Sequence, residues 1–202
     1  MNNSSPLLVV LDLDETLFHS RYEPPDRPAD FRIDEYHTYK RPGVDAFLQK
    51  LMNDTRFALA IWTSATEDYA IIAIEALGIR KDSLLAFFSR DRCVRTSLMP
   101  EMGFGEGQRL VKDLRKVARV TGWPVERMIA IDDNPDYFTR QYSNLLPIEP
   151  YYGDVEMQED VFVALLDRLA WLHTLENVRP YEKRNWYAVY KALQSADASL
   201  GE

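Results

Sequence analysis

Apolar runs and helical spacings alternate along the chain. Pro6 to Leu11 is a continuous apolar run, the pattern of a strand buried on both faces of a sheet. After Pro42-Gly43, the residues Val44, Phe47, Leu48 and Leu51 fall on one helical face, and Phe57 to Trp62 is a second apolar run that stops at Thr63-Ser64. Ser64 and Glu67 stand in capping-box relation ahead of a helix carrying Ala70, Ile71, Ile74 and Leu77, which Gly78 closes. Leu84 to Phe88 predicts a third strand. Leu110, Val111, Leu114, Val117 and Ala118 predict a helix, and Met128 to Ile131 a fourth strand that runs into Asp132-Asp133-Asn134-Pro135. Asn144 to Ile148 predicts a fifth strand, Val161, Phe162, Leu165, Leu166, Leu169 and Leu172 a closing helix, and Tyr181 to Tyr190 a last one. Trp171, Trp186 and Tyr190 are expected in the core, with Asp167 and Arg168 on the wet side of the closing helix. Strands alternating with helices give βαβ units, hence an α/β fold with a central, mainly parallel sheet flanked by helices.

Composition then sets the scale. With 202 residues, 46% of them hydrophobic, the chain can bury one sizeable core, so a single domain over residues 1–202 is expected. A net charge of -8 argues against general nucleic-acid binding, which depends on Lys and Arg displacing counterions from phosphates. Cys93 is the single cysteine, so no internal disulfide forms. The N-terminal Met-Asn-Asn-Ser-Ser-Pro lacks a secretory pattern, and no apolar stretch approaches the roughly 20 residues of a membrane span. A cytoplasmic protein without membrane contact is expected, or a nuclear one if the source is eukaryotic.

Three predicted strand ends carry polar chemistry: Asp12 and Asp14, Thr63 and Ser64, Asp132 and Asp133. Ligands of open α/β sheets gather outside the carboxyl ends of the strands, so neighbouring strands would converge these groups on one crevice. Alone, a D-x-D pattern is more often a solvated acidic turn; three polar strand ends together are not. The chemistry that suits paired carboxylates is phosphoryl transfer, with one acid attacking phosphorus, the other handling the leaving-group proton, and a hard divalent cation between them. Lys112 supplies a cation near the start of the helix before the fourth strand. By pattern alone it belongs to a wetted stripe with Arg109, Lys116 and Arg119. His19, His37 and His173 show no ligand spacing, so zinc is not expected.

In order and spacing, Asp12-Leu13-Asp14-Glu15-Thr16, Thr63, Lys112 and Asp132-Asp133 resemble the four motifs of the haloacid dehalogenase phosphatases. Asp12 to Ser20, Lys40 to Asp45, Trp62 to Ala65, Val111 to Leu114 and Ile131 to Pro135 resemble more narrowly the FCP/SCP-type branch, also described as the NLI-interacting-factor family, which acts on the C-terminal domain of RNA polymerase II. The resemblance spans roughly Leu7 to Leu172. It implies a Rossmann-like fold and a Mg²⁺-dependent phosphatase working through an aspartyl-phosphate, with phosphoserine or phosphothreonine in a protein or peptide as substrate. By the same resemblance Asp12 is the nucleophile, Asp14 the general acid and base, Thr63 a hydroxyl donor to the phosphoryl oxygens and Lys112 the charge stabiliser. Asp12, the carbonyl of Asp14 and Asp133 would hold the metal, with Asp132 a less direct ligand. Thr16 is expected to brace the loop after Asp14, and Glu15 to face solvent.

The intervals between motifs leave room for a small β-type insert, about residues 89–107, and closing helices at about 155–194, but for no large cap domain. An uncapped crevice favours a phosphate carried on something bulky. The resemblance adds Ser64, Tyr22, Tyr69 and Arg90 as substrate contacts. The segment Val94 to Gln108, with Gly103, Gly105 and Gly107, is longer than the family's compact turn and leaves peptide specificity open, and no appended phosphopeptide-recognition domain is expected. A small phosphorylated metabolite or a nucleic-acid end phosphate remains an alternative substrate of the same mechanism, and a non-catalytic phosphopeptide-binding module a third reading.

Overall fold

The first apolar run forms strand β1 (Leu7–Leu11), with all five residues buried. In the computed structural model, which describes residues 5–97, 108–153 and 160–200, it is followed by β2 (Phe18–Arg21), β3 (Phe31–Ile33), β4 (Tyr36–Lys40) and helix α1 (Val44–Asn53). Next come β5 (Phe57–Trp62), α2 (Glu67–Ala76), β6 (Ala86–Phe88), β7 (Val94–Ser97), β8 (Gln108–Val111) and α3 (Arg115–Thr121). Strands β9 (Met128–Asp132) and β10 (Leu145–Pro147) precede helices α4 (Val161–His173) and α5 (Trp186–Leu200).

Five strands form the central sheet in the order β10-β9-β1-β5-β6, and every pairing is parallel. From β1 the chain proceeds outward through β5 and β6, then returns to the other side of β1 with β9 and β10. The order therefore reverses between β1 and β9, where a binding crevice is expected. Because side chains alternate along a strand, Leu7, Val9 and Leu11 enter one apolar layer with α1, α2 and α4, while Leu8 and Val10 enter the opposite layer with Leu114 and Val117 of α3. Both faces of β1 are covered, which is why its sequence shows no polar alternation. Among the described residues no helix is long and apolar enough to cross a membrane.

The structure departs from the sequence expectations at five points. Leu110 and Val111 belong to β8, which pairs antiparallel with β7 as Val94↔Val111 through Ser97↔Gln108, so the helix begins only at Arg115. A two-residue apolar pair is too short to separate helix from strand. The capping box does not form: Thr66 is the N-cap of α2 and makes no side-chain cap bond. The Thr63 hydroxyl instead accepts from the Ala65 amide at 3.0 Å. Between β1 and α1 the chain builds a three-stranded antiparallel sheet, β2-β4-β3, turned by Asp34 at φ 50°, for which no strands were expected. Trp171 is 38% exposed, packed edge-on against Tyr181, whereas Trp186 is buried as expected. The last helix starts at Trp186, later than Tyr181. The expected insert is a β7-β8 hairpin where it is described; residues 98–107, with the three glycines, lie outside the described residues.

Candidate active site

Three of the parallel strands deliver the acids and the hydroxyl to one edge. Asp12 follows the last residue of β1, and its amide donates to the Ile131 carbonyl at 3.0 Å, which ties it to β9. Asp132 ends β9. Thr63 follows β5 and is tied to β6 through the Phe88 carbonyl at 2.9 Å. The expected convergence is therefore present, and the carboxylates of Asp12, Asp132 and Asp133 lie within 4.8 Å of one another.

Lys112 is not on a helix. It occupies the turn after β8, its amide donating to the Tyr137 carbonyl at 2.7 Å, and its side chain is fully buried. The ammonium donates to Asp12 Oδ1 at 2.7 Å and to Asp132 Oδ2 at 2.6 Å, and lies 4.8 Å from the centre of the Tyr137 ring. The wetted-stripe pattern with Arg109, Lys116 and Arg119 fails because Arg109 is in a strand and Lys112 points inward.

The loop from Asp12 to Phe18 is held from several sides. Asp14 bridges to Phe18, Glu15 has φ 56°, and its amide donates to the Phe18 carbonyl at 2.8 Å. The fully buried Thr16 accepts from the Asp133 amide at 3.2 Å and donates to Asp133 Oδ1 at 3.4 Å, so it braces the second acid pair as well as its own loop. Arg41, also buried, donates to the carbonyls of Thr16 at 3.3 Å and Glu149 at 2.8 Å. Glu15 is half-buried rather than solvated, and its carboxylate meets His19 Nδ1 at 3.0 Å.

Asp14 receives Tyr69 Oη at 2.6 Å on Oδ1 and Thr63 Oγ1 at 3.5 Å on Oδ2. Tyr69 thus reaches the acid itself. Its phenol is shifted upward by burial and by the Asp14 charge, so it stays a donor. Tyr22 stands farther out, 58% exposed, its hydroxyl 2.5 Å from that of Tyr36, whose ring meets Tyr69 edge-on at 6.1 Å. Ser64 Oγ accepts from Tyr137 Oη at 3.3 Å, and its carbonyl accepts from Arg90 Nε at 2.5 Å. Tyr36, Arg41 and Tyr137 were not singled out in the sequence. The one signal for Tyr137 is its place in the turn directly after Asn134-Pro135.

Four carboxylates share one ammonium, and the electrostatics record the imbalance. Burial raises Asp12 and lifts Asp132 well above the ordinary value of 3.8, with Lys112 opposing both shifts. Asp133 is pushed up to about 6 by burial and by the charge of Asp12. Asp14 is raised to about 7, chiefly by burial, with the Tyr69 bond holding it down. Burial works against the Lys112 ammonium, but the Asp12 and Asp132 charges outweigh it and raise its pKa. A hard divalent cation would remove this excess of negative charge, and clustered carboxylate oxygens are the donor set such a cation takes. Asp132 is committed to Lys112 and to the Asn134 amide at 2.9 Å, whereas among the described residues Asp133 is held by Thr16 and its own amide.

The sequence pattern of the family described as NLI interacting factor-like phosphatase matches residues 7–179. The CTD small phosphatase-like protein 2 of Dictyostelium discoideum is 31% identical over 202 positions, covering 96% of this chain and 32% of its own length. A probable C-terminal domain small phosphatase of the same organism is 29% identical, covering 85% of this chain and 52% of its own. The chain thus spans about a third to a half of these relatives. Among solved structures, Fcp1, described as an essential RNA polymerase II CTD phosphatase, matches with a TM-score of 0.51 at 20% identity, over 95% of this chain and 54% of that one. A fission yeast Fcp1 bound to beryllium fluoride matches with a TM-score of 0.50 at 18% identity, over 96% of this chain and 57% of that one. At that identity the likeness is one of fold, the haloacid dehalogenase type of α/β sheet.

Proposed function

Since the chain belongs to the NLI interacting factor-like phosphatase family, we propose that it hydrolyses phosphoserine or phosphothreonine in protein or peptide substrates through an aspartyl-phosphate on Asp12. The observation that carries this reading is the pairing of two neighbouring acids with opposite partners. Asp12 is salt-bridged to a buried ammonium, while Asp14 is raised to about 7 and held by a phenol. Lys112 favours the ionised form of Asp12, ready to attack, and burial, against the pull of Tyr69, favours the protonated form of Asp14, with a proton to give.

An Asp12 carboxylate oxygen forms a bond to phosphorus as the bond to the serine or threonine oxygen breaks, and Asp14 donates its proton to that oxygen. In the second half Asp14 takes a proton from the attacking water, the bond between Asp12 and phosphorus breaks, and inorganic phosphate leaves. Lys112 stabilises the charge gathering on the phosphoryl oxygens, and the Thr63 hydroxyl offers a hydrogen bond to them. Mg²⁺, held by Asp12, Asp133 and the Asp14 carbonyl, would supply neutralising charge; Asp132 positions Lys112. The donor chemistry fits Mg²⁺, and the excess of carboxylate over ammonium supports a dication.

Beyond the central sheet and its helices α1 and α2, the described residues between the motifs add the small β2-β4-β3 sheet and the β7-β8 pair, which supports an open crevice and a polypeptide substrate. The same reading puts the activity in the cytoplasm or nucleus. The test is hydrolysis, with Mg²⁺ and with EDTA, of phosphopeptides against a panel of sugar phosphates, nucleotides and 3′-phosphate oligonucleotides, alongside Asp12→Asn. Mg²⁺-dependent, Asp12-dependent release of phosphate from the peptides is expected. Selective turnover of a metabolite would overturn the substrate class, and activity that survives Asp12→Asn would overturn the site.

A further inference from the structure

The segment that leads into α5 builds a cationic pocket apart from the acid cluster. A cavity of about 380 Å³ lies between the turn at Tyr142 and Ser143 and residues 179–184, with Arg179, Lys183 and Arg184 in its walls. Lys183 is only 4% exposed. Its ammonium donates to the carbonyls of Ser143 at 2.8 Å and Tyr181 at 2.6 Å, and no carboxylate among the described residues pairs with it. Burial and the nearby Arg168 charge lower it to about 8, and the Glu182 charge only partly opposes them.

The two arginines are partly engaged: Arg179 Nε donates to Ser143 Oγ at 3.2 Å, and Arg184 lies 5.3 Å from the centre of the Tyr142 ring. Arg179 meets Glu126 at 3.8 Å and Arg184 meets Glu182 at 3.7 Å, long and largely exposed pairs of the kind that contribute little and part easily. Three cations against the one Glu182 carboxylate leave this concavity net positive in a chain whose net charge is -8. An anion with several acceptor oxygens would satisfy all three, the arginines as forks and the lysine as a point charge.

A second cavity of about 360 Å³ adjoins this pocket and reaches the acid edge. Its wall includes Asp133, Glu149, Arg184 and Lys191 as well as Pro147, Ile148 and Trp186. Pro147 and Arg184 belong to the walls of both cavities. Trp186 Nε1 donates to the Pro147 carbonyl at 2.6 Å, which fixes the indole as part of the groove. Apolar and charged groups both line it, as an extended polypeptide with polar groups at intervals would require.

We propose that the Arg179, Lys183 and Arg184 pocket is a docking subsite for a second phosphoryl group on the same polypeptide, reached along the groove from Asp133. The proposal rests on the reading of the Asp12 site as a phosphopeptide phosphatase, which supplies the first phosphoryl group. It predicts a preference for substrates phosphorylated twice at a set separation.

The test is fluorescence anisotropy with Asp12→Asn protein in Mg²⁺. The probes are labelled peptides with one phosphoserine, or with two placed about two to eight residues apart, a reach of roughly 7–28 Å. At the best spacing the doubly phosphorylated peptide is expected to bind about tenfold tighter. That ratio should fall towards one when Arg179→Gln and Arg184→Gln are added, and fall as salt is raised. Lys183→Met should lower it too; if that variant does not fold, the arginine pair decides. A ratio of one at every spacing, or one that the arginine substitutions leave unchanged, overturns the subsite. A peptide with glutamate at the second position that binds as tightly overturns the phosphoryl assignment. Hydrolysis of a generic aryl phosphate by unsubstituted protein is read separately: its absence with Mg²⁺ would end the phosphatase reading while the binding ratio still measures the pocket.

Discussion

Replacing Lys112 by methionine should expose how the site is held together. The substitution removes the ammonium but keeps most of the apolar stem, leaving Asp12 and Asp132, 5% and 1% exposed, without their partner. Removing one member of a buried ion pair typically costs about 3–5 kcal/mol, because the remaining charge stays desolvated. For a chain of this size that corresponds to a fall in Tm of roughly 6–20 °C. The loss should depend on pH with a definite sign. Asp12 and Asp132 already titrate above 3.8 in the folded protein, and without the ammonium they titrate higher still. A carboxyl whose folded value lies above its unfolded value takes up a proton more readily when folded, so it destabilises the fold increasingly as pH rises through that window. In the unsubstituted protein the raised Lys112 pKa has the opposite sense. Its stabilisation is fully present below 10.5 as long as the carboxylates are ionised, and is lost as pH rises from there through its folded value. The gap between variant and unsubstituted protein should therefore be widest near pH 8 and close towards pH 4, where protonated acids need no counter-charge. Calorimetry in EDTA across that range measures it. Adding Asp132→Asn to the variant should recover part of the loss, since one of the two stranded charges is removed. A fall in Tm under about 2 °C at pH 8, or a gap that widens on acidification, would refute the reasoning.

Three further outcomes follow from the same geometry. Because Asp14 and Asp133 are raised to about 7 and about 6, the metal-free protein should lose stability as pH climbs from 3.8 towards 7, and Mg²⁺ should restore roughly 3 kcal/mol at pH 7.5 but much less at pH 5, after discounting the part-exposed Asp133; thermal shift at the two pH values decides it. Tyr69→Phe removes a bond that lowers Asp14, so under one Mg²⁺ concentration the alkaline limb of the kcat/KM profile should move upward by roughly half a pH unit to one unit; an unmoved limb would count against Asp14 as the acid. Thr16→Val strips Asp133 of its brace and should weaken Mg²⁺ binding by about 10–100-fold in titration calorimetry, and unchanged affinity would remove Asp133 from the metal ligands.

What the sequence disclosed and what it concealed divide along the range of the interactions. Strands β1, β5 and β9 were legible because each is an apolar run that stops at polar chemistry, and the acid edge followed from their parallel pairing. Lys112 was legible as a cation of the site but misplaced on a helix, because the two apolar residues before it carry no period and the partner strand β7 lies across a long connection. The β2-β4-β3 sheet was missed for a related reason: β3 has three residues, and β4 mixes His37, Thr38 and Tyr39 in a pattern without a clean apolar face. Least legible were the tethers of the site loops. The hydroxyl of Thr16 and the carboxylate of Asp133 are 117 positions apart in sequence, and nothing local to either residue records that they meet.

The central place of β1 sets when this chemistry can first exist. The strand that leads into Asp12 is made well before β9, one of its two flanking strands, and the ammonium that holds Asp12 arrives 100 positions later. A nascent chain halted on the ribosome before β9 would bear the attacking acid on a bare sheet edge, without its cation, without Asp133 and without a layer over one face. On the proposed mechanism, the acid edge is complete only when the second half of the polypeptide docks against the first.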